Sequence, residues 1–412
     1  MSCGPDCCGQ PGLMPFEQAL EQILAAARPV TEIQSVPVAQ ALNRVLALDQ
    51  RSTLNVPPCD NSAMDGYALR LADLPAAGAR ALPLGLRVAA GDPPSSLPPG
   101  TVARIFTGAP IPLGADAVVM QEDCRLDDER VLLPAQIAPG QHIRRQGQDV
   151  ASGSVVVAAG TRLQAQHLGV LASIGVREVA CYRPLRVAVL STGDELVEPG
   201  QPLAAGQIYN SNRYTYAGLL AGLGMELIDY GIIADTAEAT ESALQQAAAA
   251  ADVILTSGGV SVGEEDHIKP AVERLGQLDL WKLALKPGKP VAFGRVGATP
   301  FIGLPGNPVS VLMGFQVLVR PYLLRSQGVL DVTPQSYRAA AAFERLQPQA
   351  RREYLRAQLV QGADGPRVEV FGNQSSGVLT SACWATGYAI VYPDSVIRRG
   401  ELVEFVPFSE LG

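Results

Sequence analysis

No apolar stretch in the 412-residue sequence approaches ~18 residues, so nothing in it reads as a membrane span. Only three histidines occur, His142, His167 and His267, and none accompanies a Ser or Cys in a nucleophile pattern. Cys and His at zinc-binding spacing are missing. So is a G-x-G-x-x-G run after a first strand, which disfavours hydride chemistry. Basic residues are in the minority: 32 Lys and Arg against 40 Asp and Glu give a formal charge of −8. That balance argues against nucleic acid, whose binding needs a basic face. The start, Met1-Ser-Cys-Gly-Pro-Asp6, has neither basic residues nor an apolar core, and no secretory signal is expected. The seven cysteines are an odd number, and Cys59, Cys124, Cys181 and Cys383 are scattered. They read as free thiols in a reducing, cytoplasmic setting. Cys3, Cys7 and Cys8 cluster, but three ligands of one type without a fourth make an incidental tail the better reading than a metal or redox site.

What is present is ordinary folding material, 47% hydrophobic and 17% charged. The chain exceeds what one core can organise and implies several domains. Residue 16 opens a run that places Phe16, Leu20, Ile23 and Leu24 on one helical face, and 38–48 repeats the habit across a hinge at 31–36. From 51 to 150 short apolar runs alternate with Pro- and Gly-rich turns, at 84–90, 102–106, 117–121 and 131–133, which predicts a β-rich module. A short strand at 155–158 and a helix at 164–174 lead into a region of alternating strands and helices. After 322, five short strand candidates (338–343, 353–361, 367–371, 388–392 and 401–406) fit a small barrel or sandwich.

The most informative segment is Thr256-Ser-Gly-Gly-Val-Ser-Val-Gly-Glu-Glu-Asp266. It follows the buried strand candidate Val253-Ile-Leu255 directly. Gly258, Gly259 and Gly263 allow backbone N–H groups to face a ligand where a Cβ would intrude. A glycine turn between a strand and a helix suits a phosphate. Glu264, Glu265 and Asp266 would repel that phosphate unless a cation lay between, so the segment suggests a phosphorylated ligand held with a divalent metal. Three neighbouring strand candidates end alike: 185–190 at Ser191-Thr-Gly-Asp-Glu195, 227–233 at Ala234-Asp235, and 300–304 at Pro305-Gly-Asn-Pro308. Alternation with the Ala-rich helix 236–251 and the apolar helix 309–319 predicts a doubly wound parallel sheet, whose ligands bind outside the carboxyl ends of the strands.

Other motifs leave two readings open. Pro57-Pro-Cys-Asp60-Asn-Ser-Ala-Met-Asp65-Gly-Tyr67 is either a site loop or a turn using Asx hydrogen bonds. Thr107-Gly-Ala-Pro110 is a strand exit or an oxyanion donor. Arg144-Arg-Gln-Gly-Gln-Asp149 is a solvated loop or a source of cations. Lys286-Pro-Gly-Lys-Pro290 is a surface turn or an electrostatic clamp, because prolines stiffen both lysines. His167, on an apolar helix, is structural, and His267 is a hydrogen-bonding group rather than a metal ligand.

Taken together, Asp60-Asn-Ser-Ala-Met-Asp-Gly-Tyr-Ala68, Thr107-Gly-Ala-Pro110, Ser191-Thr-Gly-Asp-Glu-Leu196, Thr256-Ser-Gly-Gly-Val-Ser-Val-Gly263, Lys286-Pro-Gly-Lys-Pro290 and Gly303-Leu-Pro-Gly-Asn-Pro308 resemble, in order, the molybdopterin molybdenumtransferases. The C-terminal domain of gephyrin is related to them. The resemblance spans Pro15 to the C-terminus. It implies an α/β and β multidomain protein: a helical linker (1–50 with 151–184), a β-rich domain (51–150), a doubly wound α/β domain (185–335) and a C-terminal β-barrel (336–412). It also implies molybdenum insertion from molybdate into adenylylated molybdopterin, with Mg2+ and release of AMP. By resemblance Glu195 and Asp266 are the metal carboxylates, with Asp235 close by, and Asp60 and Thr107 act near the pterin and molybdate. Ser257, Gly258 and Gly259 belong to the substrate turn. Lys286 and Lys289 neutralise the anion, Pro305 and Pro308 shape the adjoining loop, and Asp149 lies on the facing loop. The implied partners are a second copy forming a homodimer with a shared site, a molybdopterin adenylyltransferase and molybdoenzyme chaperones. Two other classes compete: an adenylyltransferase, which shares the glycine turn, and a gephyrin-type scaffold.

Overall fold

The structure is a computed structural model that describes residues 12–75, 80–259, 267–363 and 365–412. The sequence-predicted clusters Cys3, Cys7, Cys8 and Glu264, Glu265, Asp266, and Gly263 of the glycine turn, therefore lie outside the described residues. Its architecture is a multidomain α/β and β chain with an α/β sheet domain, a β-rich module and a closed barrel. No helix among the described residues is long and apolar enough to cross a membrane.

The central sheet has six strands in the order Glu226–Ile233, Arg186–Thr192, Val253–Ser257, Thr299–Leu304, Pro290–Val296, Gly276–Lys282. The first four are parallel, as expected. The last two are antiparallel and extend the parallel sheet at one edge. Val187, Val189, Val253, Leu255, Ile302 and Leu304 face one layer, with Tyr216 and Leu220 of the helix Ser211–Gly222. Ala188, Leu190, Ile254 and Phe301 face the other, with Leu244 and Ala247 of Ala237–Ala250 and Val272 of Ile268–Leu275. Period-2 alternation between two apolar layers is what a doubly covered sheet requires. The Thr236 side chain accepts from Ala239 N–H and the Asn210 side chain from Arg213 N–H, so Ala237–Ala250 and Ser211–Gly222 each start on a capping residue.

Before the sheet, Phe16–Ala26 is helical as expected and buries Phe16, Ala19 and Ile23. The second predicted helix, 38–48, does not form. Ile33–Pro37 is instead a strand paired antiparallel with Glu178–Tyr182, followed by a single 3-10 turn, Val38–Gln40. Val36 and Val38 go into a core with Leu171 and Val179, and Asn43 takes a φ of 64°, which a helix cannot accommodate. His167 is structural: its Nδ1 accepts from Gln164 N–H at the start of Ala165–Ser173.

The β-rich module is a six-stranded sheet ordered Ala117–Met120, Gly66–Leu69, Val102–Ile105, Ala81–Val88, Arg130–Leu132, Arg125–Asp127. At the C-terminus, Arg352–Gly362, Gly365–Val370, Tyr337–Ala341, Leu402–Pro407 and Gly387–Val391 pair in a ring, because Gly387–Val391 returns to Arg352–Gly362. Closure removes the edges that a five-stranded sheet would otherwise expose.

The chain entering the central sheet is tied to it by Asp252, whose carboxylate takes 2.6 Å and 2.7 Å bonds from Arg183 and a 2.8 Å bond from Arg186 N–H. Partial burial pushes the Asp252 carboxyl up, but these donors outweigh it and hold it below the usual carboxylate range. A depressed folded pKa contributes stability that is complete above the unfolded value and lost as pH falls through the folded one. Asp252→Asn is accordingly expected to cost about 2 kcal/mol at neutral pH. In thermal unfolding the gap to wild type should narrow below about pH 4; a gap that stays constant with pH would exclude the ionic origin.

Candidate functional site

The carboxyl ends of the parallel strands form the floor of two adjoining clefts. One, of about 500 Å³, is lined by Lys286, Lys289, Pro305, Ser310, Arg351, Gln374 and neighbouring residues. The other, of about 560 Å³, is lined by Thr192, Glu195, Tyr209, Asn210, Asn212, Ser257, Pro308 and others. Gly258, Gly306 and Asn307 line both, so the glycine turn stands where the clefts meet. Gly258 has φ +91° and Gly259 φ +66°, and Gly258 N–H donates to Leu304 O at 2.9 Å. This left-handed pair turns the chain out of a fully buried strand within two residues.

In the second cleft, Glu195 is exposed in the turn after Arg186–Thr192. Gly193 has φ +136°, and a Cβ there would collide with the Glu195 carboxylate. Glycine is therefore what lets this carboxylate lie back over its own turn. Asp235 follows the neighbouring strand Glu226–Ile233 at the same edge of the sheet, just before the Thr236 cap, but is not among the lining residues. Among the described residues no three His, Cys, Asp or Glu groups gather as a metal cluster. The donor chemistry fits a hard cation all the same, because magnesium binds through one or two carboxylates completed by water and substrate phosphate oxygens.

The first cleft is cationic. Lys286 and Lys289 both line it, as the stiff Lys-Pro-Gly-Lys-Pro segment suggested. Their ammonium groups are not equivalent. Lys286 Nζ is 2.7 Å from Glu353 Oε1, whereas Lys289 is exposed and has no ion-pair partner among the described residues. The barrel supplies Arg351, Gln374, Ser375 and Ser376 to the same wall. Sequence reading missed these four, since Arg351 precedes an ordinary strand and Gln374-Ser-Ser resembles a turn. Asn210 and Asn212 were missed for the same reason.

The β-rich module places its predicted residues elsewhere. Asp60, Thr107 and Asp149 line neither cleft of their own chain. Asp60 accepts from Arg145 at 2.6 Å and from Gln146 N–H at 2.8 Å. Slight burial raises its carboxyl, but Gln146 and Arg145 outweigh it and leave it below the usual range. Asp65 takes both the N–H and the hydroxyl of Thr107, at 2.7 Å and 2.8 Å, and these bonds lower its pKa. Asp149 is exposed, with its N–H bonded to Val56 O.

Three family models match the chain: the MoeA N-terminal region (domains I and II) at 14–175, a probable molybdopterin-binding domain at 188–325, and the MoeA C-terminal region (domain IV) at 338–408. A molybdopterin molybdenumtransferase of Haemophilus influenzae is 40% identical over 97% of this chain and 100% of its own length. The chain belongs to the molybdopterin molybdenumtransferase family. Molybdopterin molybdenumtransferase 2 of Mycobacterium tuberculosis is 37% identical over 83% of this chain and 86% of its own. Two solved molybdopterin biosynthesis MoeA proteins from Pyrococcus horikoshii share the fold. One has a TM-score of 0.74 at 32% identity over 96% of this chain and 99% of its own. The other has a TM-score of 0.81 at 28% identity over 96% and 100%.

The glycine turn common to both clefts yields a direct test. Gly258→Ala leaves room for the new Cβ, whose nearest neighbour is Thr192 O at 3.7 Å, so its cost is conformational. A loss of about 1–2 kcal/mol is expected from forcing L-alanine into this region. Equilibrium denaturation measures it, and an unchanged midpoint would exclude the left-handed turn.

Proposed function

We propose that this chain inserts molybdenum into adenylylated molybdopterin, taking molybdate as co-substrate and releasing AMP. The observation that carries the proposal is the pair of adjoining clefts on one glycine turn, one cationic and one bearing a carboxylate among amide and hydroxyl groups. Molybdate and a phosphoanhydride are both anionic, so their encounter needs fixed cations and oriented donors. Lys289, Lys286 and Arg351 hold the oxyanion. The phosphates lie against the glycine turn at Ser257, Gly258 and Gly259, which the bond from Gly258 N–H to Leu304 O holds in place, and Pro305 and Pro308 fix the loop between the clefts. Glu195, with Asp266 and with Asp235 nearby, would hold Mg2+ beside the phosphoanhydride. When bound, that ion offsets the charge developing there as the anhydride is hydrolysed.

Family membership supports the transferase assignment, and the barrel's share of the cationic wall favours it over a lone adenylyltransferase domain. Asp60, Thr107 and Asp149 enter the proposal through a homodimer, in which one subunit's β-rich module faces its partner's clefts. The domain division given under the sequence analysis belongs to the same proposal, as does hand-over to or from an adenylyltransferase and molybdoenzyme chaperones.

Glu195→Gln should abolish magnesium-dependent AMP release, by about 10²-fold or more, while the protein stays folded. Full turnover by this variant would refute the assignment. Lys289→Ala should weaken molybdate binding, and wild-type binding should weaken with rising salt; calorimetric titration decides both. Equal mixtures of Asp60→Ala and Glu195→Gln should regain part of the activity through mixed dimers with one intact site. Confirmed subunit exchange without recovery would rule out the shared site.

A further inference from the structure

Lys286 meets Glu353 because two chain segments far apart in sequence pair as strands. Leu285–Lys286 lies parallel to the start of the barrel strand Arg352–Gly362, with Leu285 opposite Arg352 and Lys286 opposite Glu353. The barrel thereby adds a strand to the lip of the cationic cleft. Glu353 is almost wholly buried, with a side-chain exposure of 2%, against 37% for Lys286. Its carboxylate is shared. Arg345 grips it with Nε–Oε2 at 3.1 Å and Nη2–Oε1 at 2.9 Å, while Lys286 Nζ takes Oε1 at 2.7 Å.

We infer that Glu353 is a positioning residue for anion binding: from the barrel, it fixes where the Lys286 ammonium stands at the cleft lip. The inference rests on the reading of this cleft as the oxyanion site. Pro287 follows Lys286 directly and Leu285 before it is buried, so the backbone is already fixed. The four-carbon stem is not, and without an anchor it would place its charge anywhere in a wide arc. A buried carboxylate that already holds a guanidinium is a rigid anchor. It accepts from Lys286 while its own charge is compensated by Arg345, so the three groups together present a single net positive charge.

This arrangement separates two accounts by sign. If Glu353 acted only through its charge, Glu353→Gln would raise the net charge of the group from one positive to two and would tighten anion binding. If it positions Lys286, the same change weakens binding, because the neutral amide keeps one oxygen, sets an N–H against at least one of the two cations and cannot hold both. Molybdate titrated calorimetrically into the full-length protein reads this directly. Glu353→Gln should weaken binding about tenfold or more. In AMP-release assays the KM for molybdate should rise while kcat stays within about threefold. Glu353→Asp, which keeps the charge, should recover part of the loss. In a Lys286→Met background, Glu353→Gln should add nothing further, because Glu353 acts through that lysine. Unchanged or tighter binding in Glu353→Gln, additive losses in the double variant, or a wild type that binds no molybdate would overturn the inference. If Glu353→Gln does not fold, Glu353→Asp with and without Lys286→Met supports the same comparison. A wild type that binds molybdate but releases no AMP tells against molybdenum insertion alone, and the titrations still decide the role of Glu353.

Discussion

The burial of Val253–Ser257 on both faces is the constraint on which the site depends. All five of its residues are buried, and Arg186–Thr192 and Thr299–Leu304 beside it are nearly so. Nothing that must reach a charged ligand can sit within such strands, since a buried unpaired charge is prohibitive. Polar chemistry is therefore forced to the carboxyl ends, where the chain leaves the core. The exits must be abrupt, because helices return immediately over both faces. The left-handed glycines at 258 and 259 meet that requirement, and the bond from Gly258 N–H to Leu304 O ties the turn to the neighbouring strand. The clefts thus inherit the rigidity of the sheet although loops line them.

The barrel extends that rigidity to the opposite wall. Arg356 is 1% exposed and is one of the largest buried side chains. It donates to Ser381 Oγ at 2.9 Å and to the carbonyls of Ser375, at 3.0 Å, and Asn373. Gln374 answers by accepting from Arg356 N–H and donating to Arg356 O. The loop carrying Ser375 and Ser376 into the cationic cleft is thereby held from inside the barrel. A buried guanidinium unmatched by a carboxylate is costly, and here carbonyls and a hydroxyl satisfy it. Such an arrangement fixes Ser375 and Ser376 in the wall of the cationic cleft.

The fold was legible wherever one period dominated. The parallel strands, the Ala-rich helix and all five barrel strands follow from apolar alternation and from turn residues. The edge hairpin of Gly276–Lys282 and Pro290–Val296 was not, because the alternation in Gln277-Leu-Asp-Leu280 is short and follows the helix Ile268–Leu275 directly, and Gly294 interrupts the second strand. The helix expected at 38–48 failed because a run of valines, leucines and alanines fits either period, and the bridges from Val45 to Arg162 and from Leu46 to Cys181 decided the outcome. For the site, the glycine turn and Glu195 pointed to residues that line the clefts, whereas Asp235 lines neither cleft. The wall was silent: Arg351 and Gln374 look generic until the barrel brings them to Lys286. The pairing of Lys286 with Glu353 depends on strand register, which no local pattern encodes.

The charges of the β-rich module fit an anionic site better in the folded chain than they do in the sequence. Read along the chain, Asp60 and Asp65 are two carboxylates that would repel molybdate and phosphate. Folded, Asp60 carries the Arg145 guanidinium at 2.6 Å, and Asp65 is bound by both donors of Thr107, with Arg104 near enough to lower its pKa further. Each carboxylate is thus balanced within its own module. A partner's cleft that received this surface, as the shared-site proposal requires, would gain oriented polar groups with little added negative charge. Compensation inside each module would allow acidic motifs to serve a site whose ligands are themselves anions.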